Sequence, residues 1–179
     1  MSALESTIQA PPTRRSAPPR DEAQRVLTPE ILALAAVVVL GAIMTILDAT
    51  VVNVALPTLG RDFHTRIATI QWLPTAYLLA FASVIPLTGW ASERVGAKPL
   101  WLGSLALFMG GSLLAGLSWS IGSLIAFRVV QGAGGGMIMP LGQTILAQAA
   151  GPRRMGRVMS IVGIPMLLAP IAGPVVGGA

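Results

Sequence analysis

Asp48 and Arg128 are the residues of this chain whose chemistry most needs a reason, because each is a lone charge within an apolar run. A charge at the centre of a membrane span costs roughly 2.5–3.5 kcal/mol on insertion scales. Charges in such places pair with one another, or bind ions, protons or substrates. Asp48 lies in LDATVVNVALP, residues 47–57, with Thr45 close before it. At 100° per residue Thr45, Asp48, Val52 and Asn53 share one side of a helix, while Leu47, Val51 and Val54 face the other way. Arg128 lies in FRVVQGAGGGMIMPLGQ, residues 127–143. There Arg128, Gln131, Gly132, Gly135, Met139, Gly142 and Gln143 fall within a wedge of roughly 120°. That face joins polar reach to small residues that let a neighbouring helix come close. Gly132 and Gly136 also form a GxxxG, a weak signal in a chain with 20 glycines.

Asp48 is expected about eight residues, ~12 Å, from the end of its span, and Arg128 about seven, ~10 Å, from the end of its own. Opposite charges at similar depth on two helices can pair, directly or through water. Two readings follow. One is a static ion pair that only fixes helix packing. The other is a protonation site, because burial raises a carboxyl group's proton affinity and a nearby guanidinium lowers it. A group whose proton affinity changes with conformation is what proton-driven transport needs.

Two further stretches have unusual patterns. GWASERVGAK, residues 89–98, sets the acid–base pair Glu93 and Arg94 between Gly89 and Gly96, with Lys98 following. A tight turn explains the glycines and one sign of charge, but not the pair. APIAGPVVGG, residues 169–178, brings Pro170 and Pro174 together with Gly173, Gly177 and Gly178. Proline removes helix hydrogen bonds and glycine admits a close neighbour, so this helix should bend where it packs.

The elements that carry these residues follow from composition. Of 179 residues, 54% are hydrophobic and 11% charged; a soluble domain carries about 25% charged residues, so this is membrane composition. A basic balance can mean a nucleic-acid partner, but these basic residues are scattered among apolar runs, which excludes that class. The chain has no cysteine and one histidine, His64, in a polar stretch without a second ligand; neither a disulfide nor a metal site is expected. Residues 1–28, with Pro11, Pro12, Pro18, Pro19 and four arginines, cannot bury enough surface to offset chain entropy and read as a disordered cytoplasmic tail. Thr28, Pro29 and Glu30 then form a helix start: cap, first-turn proline and an acid at the positive end of the dipole.

Residues 29–179 hold five candidate spans, over 31–56, 70–92, 99–117, 121–149 and 158 to the terminus. Each has about 20 residues or more, enough for a hydrocarbon core of roughly 30 Å. The fold class is therefore an all-α membrane protein of five transmembrane helices. With the N-terminus inside, Arg14, Arg15, Arg20, Arg25, Arg94, Lys98, Arg153, Arg154 and Arg157 face the cytoplasm and only Arg61 and Arg66 face out. The positive-inside rule selects that orientation. Trp72, Trp90, Trp101 and Trp119 all fall near span ends, where interfacial rings belong. The odd span count, with no polar flank after the last, reads as an N-terminal portion of something longer.

The four stretches, in this order, resemble the major facilitator superfamily, and specifically its fourteen-span drug:proton antiporter family of multidrug exporters. The resemblance covers residues 31–179. It implies alternating access between two six-helix halves built from three-helix repeats, so these spans would belong to the N-terminal half. It implies that Asp48 and Arg128 couple proton movement, with Asn53, Gln131 and Gln143 lining the substrate cavity. Gly89, Glu93, Arg94, Gly96 and Lys98 would form the cytoplasmic gating loop, and Gly173, Pro174, Gly177 and Gly178 the antiporter motif. Glu93, Ala97 and Ala169 depart from that family's usual aspartate, basic residue and glycine. The expected partners are small apolar or cationic drug-like substrates, protons, the lipid bilayer and the remaining C-terminal half. No cofactor, no metal and no enzymatic activity are implied, and the expected location is the inner cell membrane. Two alternatives stay open: a truncated membrane fragment that does not transport, and a facilitator or symporter of another small-molecule class.

Overall fold

The computed structural model describes residues 28–151 and 154–177, with side chains up to Leu167. Among them are six helices and no strand: α1 Pro29–Asp62, α2 Ile67–Ile70, α3 Trp72–Val95, α4 Ala97–Gly116, α5 Ile121–Ala150 and α6 Met155–Gly177. The expected tail falls almost wholly in residues 1–27 and so lies outside the described residues. Four segments are long and apolar enough to cross a bilayer: Pro29–Asp62, Ile67–Val95, Ala97–Gly116 and Ile121–Ala150. The fifth expected span is α6, with 23 residues, or about 35 Å of helix; its apolar described part runs Met155–Leu167.

The chain's local chemistry sets the helix ends. Ile31 N–H donates to the Thr28 hydroxyl at 3.4 Å, with Pro29 and Glu30 in the first turn, so the start read from the sequence is where α1 begins. Its C-terminal end is further along than expected. The helix continues through Pro57 to Asp62, because a membrane helix tolerates one missing backbone donor when its neighbours hold the flanking turns. Gly96 separates α3 from α4 as a single residue at φ 92°, a left-handed conformation that costs glycine nothing. The 89–98 motif is therefore mostly helix, and not a loop. At the start of α5, Ser120 and Ser123 cap each other's backbone N–H groups reciprocally.

α5 is the centre of the bundle. It packs along α3 on one side and α4 on the other, and also touches α1, whose main partner is α6. Its glycines make this possible. A Cβ on Gly132 would collide with the Tyr77 carbonyl of α3, and one on Gly136 with the Phe81 carbonyl one turn later. A Cβ on Gly134 would come within 2.6 Å of Phe108 N on α4. So the GxxxG that looked weak by composition marks a backbone-to-backbone seam with α3.

Two apolar clusters fill the ends. One gathers Ile31, Val38, Trp101, Leu141, Leu146 and Val158; the other gathers Ile70, Leu73 and Leu124 against Leu59 and Phe63. Trp101 corrects an expectation: it is 6% exposed and its indole N–H donates to Ile138 O at 3.2 Å, inside the bundle. Trp72, Trp90 and Trp119 are exposed near helix ends. Leu40, Leu78, Leu87, Leu102 and Leu113 are exposed along the helices. So much outward leucine is unfavourable in water and natural against lipid.

Candidate functional site

Between the two apolar clusters lies a polar one. Arg128 Nη1 donates to Asp48 Oδ2 at 2.6 Å and to Gln131 Oε1 at 2.7 Å. Gln131 Nε2 in turn donates to Asp48 Oδ1 at 2.8 Å. The three side chains close a ring in which each touches the other two. Arg128 and Gln131 stand one turn apart on α5, as the helical wedge requires. Asp48 comes from α1, which reaches α5 at this level.

Counted from the expected span ends, the two charges lie at similar depth. Because α1 runs on to Asp62, Asp48 is 14 residues (62 − 48) from the end of its helix, or about 21 Å and not ~12 Å. The ion pair itself, and not that count, puts the two charges at one level.

Burial divides the cluster. Arg128 is 2% exposed and Gln131 0%, while the Asp48 side chain keeps 16%. The carboxylate is the least buried of the three. It borders an open groove of about 440 Å³ beside α1, α4 and α5, lined by Arg128 and Gln131 at the polar cluster and by Leu59, Phe63, Leu73 and Leu124 beyond it. Arg128 Nε is buried without a hydrogen-bond partner; an unpaired buried donor costs about 1–3 kcal/mol, so the cluster is under-satisfied as it stands.

Tyr77 is the member that sequence reasoning missed. The Arg128 guanidinium carbon lies 4.4 Å from its ring centroid, and Tyr77 is 3% exposed. A cation over an aromatic face is attracted by the ring quadrupole, by about 2 kcal/mol when desolvated. The available signal was a lone tyrosine in an apolar span, since the chain has only this one. Which helix face it meets is not written locally.

The other candidates are placed elsewhere. Asn53 and Gln143 are exposed and do not join the ring. Glu93, Arg94 and Lys98 are exposed around the α3–α4 junction, with Gly89 on the last turns of α3. The Arg94 guanidinium stacks on Trp90 at 4.5 Å and so turns back along α3. Gly173, Pro174 and Gly177 lie on the backbone of α6, beyond its described side chains, and Gly178 lies outside the described residues.

Comparison with known proteins places the arrangement in context. The family model described as Major Facilitator Superfamily matches residues 38–179. The chain is similar to the "Multidrug resistance protein B homolog" of Mycobacterium tuberculosis, 51% identical over 148 residues, covering 83% of this chain and 27% of that protein. It is also similar to "Multidrug export protein EmrB" of Escherichia coli, 37% identical over 139 residues, covering 78% of this chain and 27% of that protein. "Efflux pump dotC" of Dothistroma septosporum is 40% identical over 140 residues, covering 78% of this chain and 24% of that protein. The chain thus spans about a quarter of the length of the curated relatives it matches.

Proposed function

The chain belongs to the Major Facilitator Superfamily, a superfamily of transporters and not of enzymes, and on that premise we propose that it serves proton-coupled multidrug efflux. In this reading the 179 residues are the N-terminal portion of a drug:proton antiporter in the inner cell membrane, with the N-terminus in the cytoplasm. The substrates are small apolar or cationic drug-like molecules, as the names of the similar proteins suggest. A C-terminal half supplies the other wall of the transport path. The short coverage of those relatives supports the fragment reading.

The observation that carries the proposal is the Asp48–Arg128 pair at 2.6 Å within membrane helices. Its chemistry suits a proton switch. When Asp48 takes a proton it loses its charge, and Arg128 loses its counter-charge while keeping neutral partners, Gln131 Oε1 and the Tyr77 ring among them. A buried guanidinium that loses its counter-charge favours a different packing of α1 on α5, so protonation and conformation become linked. Deprotonation restores the ring of hydrogen bonds. The exposed charges of Glu93, Arg94 and Lys98 act in this reading as a gate that meets the other half. Gly173, Pro174, Gly177 and Gly178 bend α6 for antiport. Asn53 and Gln143, being exposed, line the substrate path in this reading, and Gln131, buried in the ring with Asp48 and Arg128, borders it from within.

A static strut is the competing reading, and the mutual hydrogen bonds of Asp48, Arg128 and Gln131 favour it. One experiment separates the two: substrate-induced proton release in proteoliposomes of the transporter that carries these residues. Asp48→Asn should abolish release while leaving insertion intact. Wild-type release in Asp48→Asn, or recovery in the double variant Asp48→Asn with Arg128→Gln, would make the carboxylate structural.

A further inference from the structure

We propose that Trp101 is a positioning residue for the Asp48–Arg128 pair. It fixes α1 against α5 about two turns from the pair, so that a change at Asp48 swings only the half of α1 that carries it. The inference rests on the proposed switching of Asp48, and adds to it a fixed point that comes from a third helix, α4.

Three helices build the contact. Trp101 is buried, and its indole N–H donates to Ile138 O of α5 at 3.2 Å. A Cβ on Gly41 of α1 would lie 3.2 Å from Ile138 Cγ2 and 3.4 Å from Trp101 Cζ2. Glycine therefore lets α1 come down on the indole and the isoleucine together. The rigid indole fills the gap, while its single donor ties it to the α5 backbone. Gly41 is seven residues before Asp48 (48 − 41), and Ile138 is seven after Gln131 (138 − 131). Seven residues are about 10.5 Å and nearly two whole turns, so this contact and the polar ring lie on one seam between α1 and α5.

On the two sides of this contact α1 is held unequally. Its buried residues are Ile31, Ala35, Val38, Gly41 and Ala42, and none beyond Ala42 is buried. Ile31, Ala35 and Val38 share one apolar cluster with Trp101 and with Val158 and Val162 of α6. Past Ala42 the helix is held by the hydrogen bonds of Asp48 and by half-buried Leu56 and Leu59. Its backbone also bends readily there. Thr45 Oγ1 donates to Ala42 O at 2.8 Å, and Thr50 Oγ1 donates to Leu47 O at 2.8 Å and Ile46 O at 3.1 Å. Such side-chain bonds compete with the helix's own and favour bending. By contrast, α5 has buried residues from Leu124 to Ala150 and serves as the frame. When Arg128 loses its counter-charge, the Asp48 half of α1 swings and the Ile31–Ala42 half stays.

The absence of native cysteine lets spin labels be placed in pairs. Thr58→Cys with Ala126→Cys spans α1 and α5 on the Asp48 side of Trp101, and Ala33→Cys with Gln148→Cys spans them on the other side. All four positions are exposed. Each pair is made in the full 179-residue chain in lipid nanodiscs, and its separation is read by double electron–electron resonance. Asp48→Asn, which stands for the protonated acid, should shift the first separation by about 2 Å or more and the second by less than half as much. Equal shifts in the two pairs would overturn the fixed point while leaving Asp48 as a switch. Trp101→Phe keeps a ring but loses the donor, and in its presence Asp48→Asn should move both pairs. A second separation that still holds in that double variant would take the fixed point away from Trp101. The Asp48→Asn arm needs no change at Trp101, so it decides the matter even where the Trp101→Phe chain fails to fold. If Asp48→Asn moves neither pair, the link between protonation and conformation falls, and the fixed point falls with it.

Discussion

The guanidinium of Arg128 lies 4.4 Å from the ring centroid of Tyr77, so the one buried arginine among the described residues is held from α3 as well as from α1. The consequence is that Arg128 does not depend on Asp48 alone for its position. Tyr77→Phe keeps the ring and should leave coupled transport within about threefold of wild type. Tyr77→Leu removes an attraction of about 2 kcal/mol, and should lower coupling roughly tenfold while substrate binding stays the same. Equal effects of the two variants would point to the phenol hydroxyl in place of the ring face.

The ring of hydrogen bonds predicts a graded series at Arg128. Arg128→Lys keeps a positive charge but loses the flat guanidinium that lies over the Tyr77 ring while Nη1 donates to Asp48 and Gln131. Drug efflux should fall to an intermediate level. Arg128→Gln should fall further, and Gln131→Leu should resemble the lysine variant, because it strips one acceptor from Arg128 and one donor from Asp48. Efflux assays in cells lacking other pumps would rank the three.

The α3–α5 seam predicts that Gly132→Val destabilises more than a lipid-facing change. A Cβ there meets the Tyr77 carbonyl, and overpacking a close interface costs about 1–3 kcal/mol. Gly103→Val, where nothing lies within 4 Å of an added Cβ, is the control. Thermal melting in detergent should show a clear fall for the first and little for the second. Similar melting curves would mean that the helices part easily.

The proposed orientation predicts one-sided labelling. A single cysteine at His64 should react with an impermeant thiol reagent added outside intact cells, and one at Glu93 should not. Both residues are exposed, whereas Ala97, the alternative inner position, is 8% exposed and would react poorly from either side. Reversed labelling would invert the topology.

The fragment reading predicts that vesicles containing only these 179 residues do not export drugs. The charges of Glu93, Arg94 and Lys98 would have no opposite wall to meet. Export by this chain alone would show that the wall is dispensable, or that a second copy supplies it.

What the sequence determined by itself was what each helix contains. Composition and run length made the chain a membrane bundle. Thr28, Pro29 and Glu30 marked the start of α1, and a 3.6-residue period put Asp48 on one face of its helix and Arg128 with Gln131 on another. These features are local, since a cap or a helical face depends on residues within a few turns. Only the tertiary structure decided how those faces meet. It closed Asp48, Arg128 and Gln131 into a ring across a separation of 80 residues, laid Tyr77 under the guanidinium, and drew Trp101 into the core. It carried α1 through Pro57, and turned Gly132 and Gly136 from a common pattern into a seam. Each of these depends on the rotation and offset of one helix against another. Those are set by the summed packing of all the helices, and no residue's neighbours in the chain specify them.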